Sequence, residues 1–199
     1  MDGEREIRAK PRAMIAGIPK TPSAPGFMCE ENASGLLYIA YPSCNAVAVV
    51  DAATGSVVSA LEFDDEGAVQ IADVLICENE CDGGAFTTNN KARPVAIELS
   101  SEGQHLFIGA ENSNRLSVID LTEEGLPENF SQIELEGEIG LYKVAVSDRL
   151  AIGGDSGFFG AGNDGYRRFV YAIASDQSIR VAQVDAEGDI QECETQADP

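Results

Sequence analysis

The chain has 199 residues, and its 34 acidic side chains against 13 basic ones give a net charge of −21. Such a field repels phosphate backbones and anionic headgroups, which argues against nucleic acid and acidic membrane surfaces as partners. No apolar run approaches spanning length, and the length suits one domain with a substantial core.

Taken in order, Met1 to Lys20 is charged and Pro-containing, with no apolar segment long enough for a secretory signal. On that ground the chain either stays in the cell or takes its export signal from outside this sequence. Arg12 to Ala16 reads as a short strand, after which Pro19, Pro22 and Pro25 enforce an extended path to Gly26. Leu36-Leu37-Tyr38-Ile39-Ala40 and Ala46-Val47-Ala48-Val49-Val50-Asp51 follow, alternating and rich in β-branched residues, as half-buried strands are. Ala53-Thr54-Gly55 predicts a turn and Ser56 to Phe63 the returning strand. Asp64 to Ala92 interrupts the pattern; it is acidic and holds Cys77 and Cys81. Within it, Val69 to Ile76 fits a strand or a helical turn equally well.

The second unit is the clearest. Strands are expected at Arg93 to Leu99, His105 to Ala110, Arg115 to Leu121 and Phe130 to Leu135, with short turns between them. Leu141 to Ser147 opens a third unit, a Gly-rich insertion spans Gly153 to Gly165, and strands follow at Phe169 to Ala174 and Ile179 to Val184. Ile190 to Thr195 is the candidate last strand.

These units are copies of one another. Tyr38 falls on Phe107, Asn45 on Asn114, Val47 on Leu116, Val49 on Val118 and Asp51 on Asp120; a looser third copy begins at Tyr171. One repeating unit cannot bury its apolar face without its neighbours, so the repeat predicts stacked sheets. Four antiparallel strands joined by short turns make one propeller blade.

The second unit resembles the YVTN-type β-propeller repeat, related in pattern to lactonase-like propellers. The matching residues are Arg93-Pro94-Val95-Ala96-Ile97, Ser101-Glu102-Gly103, Leu106-Phe107-Ile108, Asn112-Ser113-Asn114 and Leu116 to Asp120. The resemblance implies an all-β fold of about three four-stranded blades in one partial propeller domain over 1–199. Its units are 11–63, 93–135 and 141–195, with insertions at 64–92 and 149–167. Closed propellers use roughly 4 to 8 blades. The expected ring is therefore incomplete, finished by remaining blades of a longer chain or by another protomer.

The five cysteines lack the paired short knuckles of a zinc site, and their acidic loops suit disulfides, which implies an extracytoplasmic compartment: periplasmic, cell-surface or secreted. In a four-stranded blade the link between second and third strands shares a face with the link to the next blade. Cys44 can then reach Cys77 or Cys81, with a local Cys77–Cys81 bridge as the competing pairing and Cys29 on the opposite face.

Other candidates are weighed against plain structural roles. Gly154-Asp155-Ser156-Gly157 resembles the nucleophile region of trypsin-like proteases, but the one imidazole, His105, is expected at a partly exposed strand end in another blade. Asp155, Asn163 and Asp164 offer oxygen ligands in a Gly-rich loop, so calcium is the alternative to no cofactor at all. Asn129-Phe130-Ser131 and Asn32-Ala33-Ser34 fit the glycosylation pattern, and Arg167-Arg168 is expected to form local ion pairs. Asp51 and Asp120 recur, which favours turn capping over catalysis. No shared catalytic constellation emerges. The sequence points to a non-enzymatic binding or scaffold module whose partner is a protein or a small ligand; the alternative is a lactonase-like hydrolase using a divalent cation.

Overall fold

The computed structural model describes residues 12–16, 35–72, 92–148, 150–151, 166–185 and 188–193. They form three antiparallel sheets, and among them a single 3-10 turn at Pro42–Cys44 is the one helical element. Sheet 1 contains β1 (Ala13–Ala16), β2 (Leu36–Tyr41), β3 (Ala46–Asp51), β4 (Val57–Phe63) and β5 (Val69–Ala72), paired in that order. Sheet 2 is the meander of β6 (Pro94–Leu99), β7 (His105–Ala110), β8 (Arg115–Leu121) and β9 (Pro127–Glu134). Sheet 3 pairs β10 (Leu141–Val146), β12 (Tyr166–Ala174), β13 (Ile179–Val184) and β14 (Ile190–Glu192). The two residues of β11 (Leu150–Ala151) pair with the start of β12 beyond β10.

Alternation fixes what each sheet buries, because successive side chains on a strand point to opposite faces. Tyr38, Ala40, Val47, Val49, Leu61 and Phe63 leave sheet 1 on one face. They pack with Ile97, Leu99, Leu106, Ile108 and Ile119 of sheet 2. The residues between these, including Phe107, Leu116 and Val118, point the other way and pack with Leu141, Val144, Val170, Ala172 and Val184 of sheet 3. Sheet 2 is thus buried on both faces. The result is an all-β, open stack of propeller-like blades.

Three sequence expectations change. Sheet 1 has five strands, not four: Asp64 Oδ1 accepts from the amides of Glu66 and Ala68, closing the turn that lets Val69–Ala72 pair with β4. The fourth strand of sheet 2 starts at Pro127, earlier than Phe130. The insertion 149–167 contributes β11 and the first residues of β12.

The fifth strand also alters the argument about the cysteines. β5 runs back along β4, so Ala72 lies at the end of the sheet away from Cys44, while Ala92–Arg93 return beside Asn45. Cys29, Cys77 and Cys81 lie outside the described residues. Cys44 is disulfide-bonded, with its partner outside the described residues, and Cys193 is a free thiol. Burial and the neighbouring Glu192 push the Cys193 thiol up from its ordinary value.

Candidate interaction face

The repeat is exact at the level of strand register. Tyr38 pairs with Val49, Phe107 with Val118 and Tyr171 with Val181. One step nearer the turn, Ala40 pairs with Val47, Gly109 with Leu116 and Ile173 with Ile179. Each sheet therefore presents the same four-residue row on the face pointing away from the sheet before it.

Two of these rows are covered. Tyr38 is 1% exposed and Phe107 0%, each under the following sheet. Tyr38 Oη also crosses the interface, donating to the Gly125 carbonyl at 2.7 Å, and burial pushes its hydroxyl up to about 12. The third row is bare: Tyr171 is 43% exposed, Ile173 45% and Ile179 64%. Lys143 and Ala145 extend this face on the β10 side, and toward β14 it ends at the buried Gln183, hydrogen-bonded at 2.9 Å to the exposed Gln191. None of these residues is a carboxylate. In a chain with 34 acidic side chains, a charge-poor apolar face has the composition of an interface core.

The rows differ in one more respect. At Gly109 a Cβ would lie 2.9 Å from Leu141 Cβ and 3.1 Å from Val144 Cγ2, because β10 passes close over β7. Glycine there admits the next sheet. Sheet 1 has the small Ala40 at this position, and sheet 3 has Ile173.

The recurring asparagines are structural clamps. Asn45 adopts the left-handed conformation at φ 53°, its Nδ2 donates to the Phe63 and Asp64 carbonyls, and its Oδ1 accepts from the Arg93 amide that starts sheet 2. Asn114 Nδ2 donates to the Leu135 carbonyl at 2.7 Å and the Gly137 carbonyl at 3.0 Å. The two aspartates diverge. Asp51 Oδ1 accepts from the Ala53 and Thr54 amides of its own turn. In sheet 2 that capping passes to Thr122 Oγ1, which accepts from Glu124 and Leu126.

Asp120 instead lies beside His105, its cross-strand partner, with Oδ1 3.6 Å from Nε2. Contrary to expectation His105 is buried. It points the same way as Phe107, toward sheet 3, where a Cβ on Gly188 would lie 3.4 Å from its Nε2. Burial, then the charges of Asp189 and Glu128, push the Asp120 carboxyl up from its ordinary value. The nearby hydroxyls are already used by the backbone: Ser131 donates to the Gly188 carbonyl, and Ser100 Oγ accepts from the Gln104 and His105 amides. With Gly188 over His105, the pair takes part in the packing between sheets 2 and 3.

Arg168, 3% exposed at its side chain, forms an ion pair with Glu102. The pair is long-range, joining sheet 3 to the turn before β7, where a local pair was expected. Burial raises the Glu102 carboxyl, but the Arg168 hydrogen bond and charge outweigh it and hold the carboxyl below its ordinary value. Asn129 is exposed on β9, while Gly154 to Gly157, Asp155, Asn163, Asp164 and Asn32 lie outside the described residues. No group of three or more His, Cys, Asp or Glu side chains able to hold a metal occurs among the described residues.

No protein-family model matches the chain, and no curated protein matches it. Among solved structures, a periplasmic gluconolactonase of Pseudomonas aeruginosa aligns with 94% of this chain and 39% of its own, at 15% identity and TM-score 0.48. Hydrazine synthase of Kuenenia stuttgartiensis aligns with 79% of this chain and 31% of its own, at 16% identity and TM-score 0.42. The WD40 domain of Toxoplasma gondii coronin aligns with 83% and 33%, at 14% identity and TM-score 0.39. The chain thus spans well under half the length of each.

Proposed function

We propose that this chain is a YVTN-type propeller segment acting as a non-catalytic binding or scaffold module outside the cytoplasm. The observation that carries the reading is the third row, Tyr171-Ile173-Ile179-Val181. It repeats in register the rows that sheets 1 and 2 bury, yet Tyr171, Ile173 and Ile179 face solvent and Val181 is only half-buried. Burying such apolar side chains is worth about 25 cal/mol per Å² removed from water, so a covered row is the favoured state.

Two features support the non-catalytic side of the reading. The repeat residues serve turns and inter-sheet packing, and His105 is buried where Gly188 of the following sheet approaches it. The disulfide at Cys44 supports an oxidising compartment, and we assign its partner to Cys77 or Cys81. Non-reducing peptide mapping tests this assignment; a Cys29–Cys44 bridge would overturn it.

A pH-stat assay with a small lactone, run with calcium, magnesium and a chelator in turn, tests the function itself. The expected result is no hydrolysis above buffer under any condition. Metal-dependent turnover abolished by the chelator would replace the scaffold with a lactonase-like hydrolase.

A further inference from the structure

We infer that the bare face of sheet 3 is covered by the same face of a second copy of this chain, related by a two-fold axis. This rests on the reading of that face as an interaction surface and goes further by naming the occupant.

The first argument is steric. A further sheet docking as sheet 3 docks on sheet 2 would bring its first strand over position 173. At the matching position of sheet 2 there is no room even for a Cβ, since Leu141 and Val144 lie within 2.9 and 3.1 Å of where it would sit. Ile173 carries four side-chain carbons there, so it holds off a neighbour stacked in that manner. Two sheet faces packed as in a sandwich keep about 10 Å between them, and side chains of this size fill that gap.

The second argument is topological. At the other end of the stack, Ala46, Ala48 and Ala60 lie on the face of sheet 1 turned away from sheet 2 and are buried. On sheet 3 the matching closure reaches only Gln183, 8% exposed, while Tyr171, Ile173 and Ile179 stay open, so head-to-tail stacking of copies finds an open strip at one end and a covered face at the other. A patch that pairs with its own copy makes an isologous contact, which closes at two.

The third argument is electrostatic. Two chains of net charge −21 repel over most of their surfaces. They approach at least cost through a face without carboxylates, where the charged group is Lys143. A two-fold axis along the strands lays the β10 edge bearing Lys143 over the β14 edge bearing Gln191, so no two charged groups are forced together.

Sedimentation equilibrium of the full chain at about 0.15 M salt, where charges are screened beyond roughly 8 Å, tests the inference. The expected result is twice the monomer mass at micromolar concentration. Ile173→Asp, and independently Ile179→Glu, should weaken association at least about 100-fold by burying a carboxylate at the contact. Both sites are exposed within one chain, so circular dichroism and the melting temperature measured on dilute monomer should stay at the wild-type values. A wild-type chain monomeric up to about 100 µM overturns the inference and leaves the face to another occupant. A dimer that survives both substitutions, or an assembly that grows beyond two, overturns it as well. Lactone hydrolysis in the earlier assay would sink the non-catalytic function without touching this result.

Discussion

Sheets 2 and 3 present the same row of four side chains in the same register, and the two rows meet opposite fates. Phe107, Gly109, Leu116 and Val118 lie under sheet 3; Tyr171, Ile173 and Ile179 face water in the isolated chain, with Val181 half-buried beside them. Apolar character is the same in both rows, so it does not decide burial. What decides it is whether a neighbouring sheet arrives, and the residue size at the approach point sets how close it comes. Glycine at 109 admits sheet 3 at close range, and isoleucine at 173 would hold the proposed neighbour farther off.

The largest expected effect tests the fates directly. Phe107→Ala should lower the unfolding free energy by about 3–5 kcal/mol, whereas Tyr171→Ala in dilute monomer should change it by less than about 0.5 kcal/mol. Urea denaturation of both variants measures the contrast, and equal losses would erase the distinction between the rows. A smaller effect sharpens the point about approach. Gly109→Ala should cost about 1–3 kcal/mol by overpacking against Leu141 and Val144, while Ile173→Ala leaves the monomer unchanged within about 0.5 kcal/mol.

The smallest effect concerns the polar end of the covered interface. Asp120 has a folded-state pKa raised first by burial and then by Asp189 and Glu128. Such a group contributes stability that is present below its unfolded pKa and lost as pH rises through the folded one. Asp120→Asn should therefore melt higher than wild type at about pH 7, and the gap should close at about pH 3. A constant difference across that range would mean that the carboxyl ionises without cost between the sheets.

Much of this architecture is legible in the sequence. Tyr38, Phe107 and Tyr171 lie on corresponding strands because the copies keep the spacing between paired strands, and the third copy absorbs its one-residue deficit in the turn before Ile179. The clamp asparagines are visible too, as recurring residues in turns. The interaction face is only half legible. Apolar alternation marks both faces of a strand pair, and no pattern within one chain says which face lacks a neighbour. Strand β5 is ambiguous in sequence because Val69 to Ile76 is too short for its period to be decided. His105 escapes sequence reasoning for a related reason: a strand-end position predicts exposure, but its cover comes from Gly188, 83 residues further along.

Sheet 2, enclosed on both sides, also sets how the molecule should come apart. In a linear array of repeats each unit is held by its nearest neighbours, so those at the ends open first. Amide protons of β7 and β8 should then exchange with deuterium only through global unfolding, and those of β12 and β13 through a cheaper partial opening that peels the last sheet away. Association through that last sheet would tie its fate to a partner, turning the weakest part of the array into one whose lifetime depends on protein concentration.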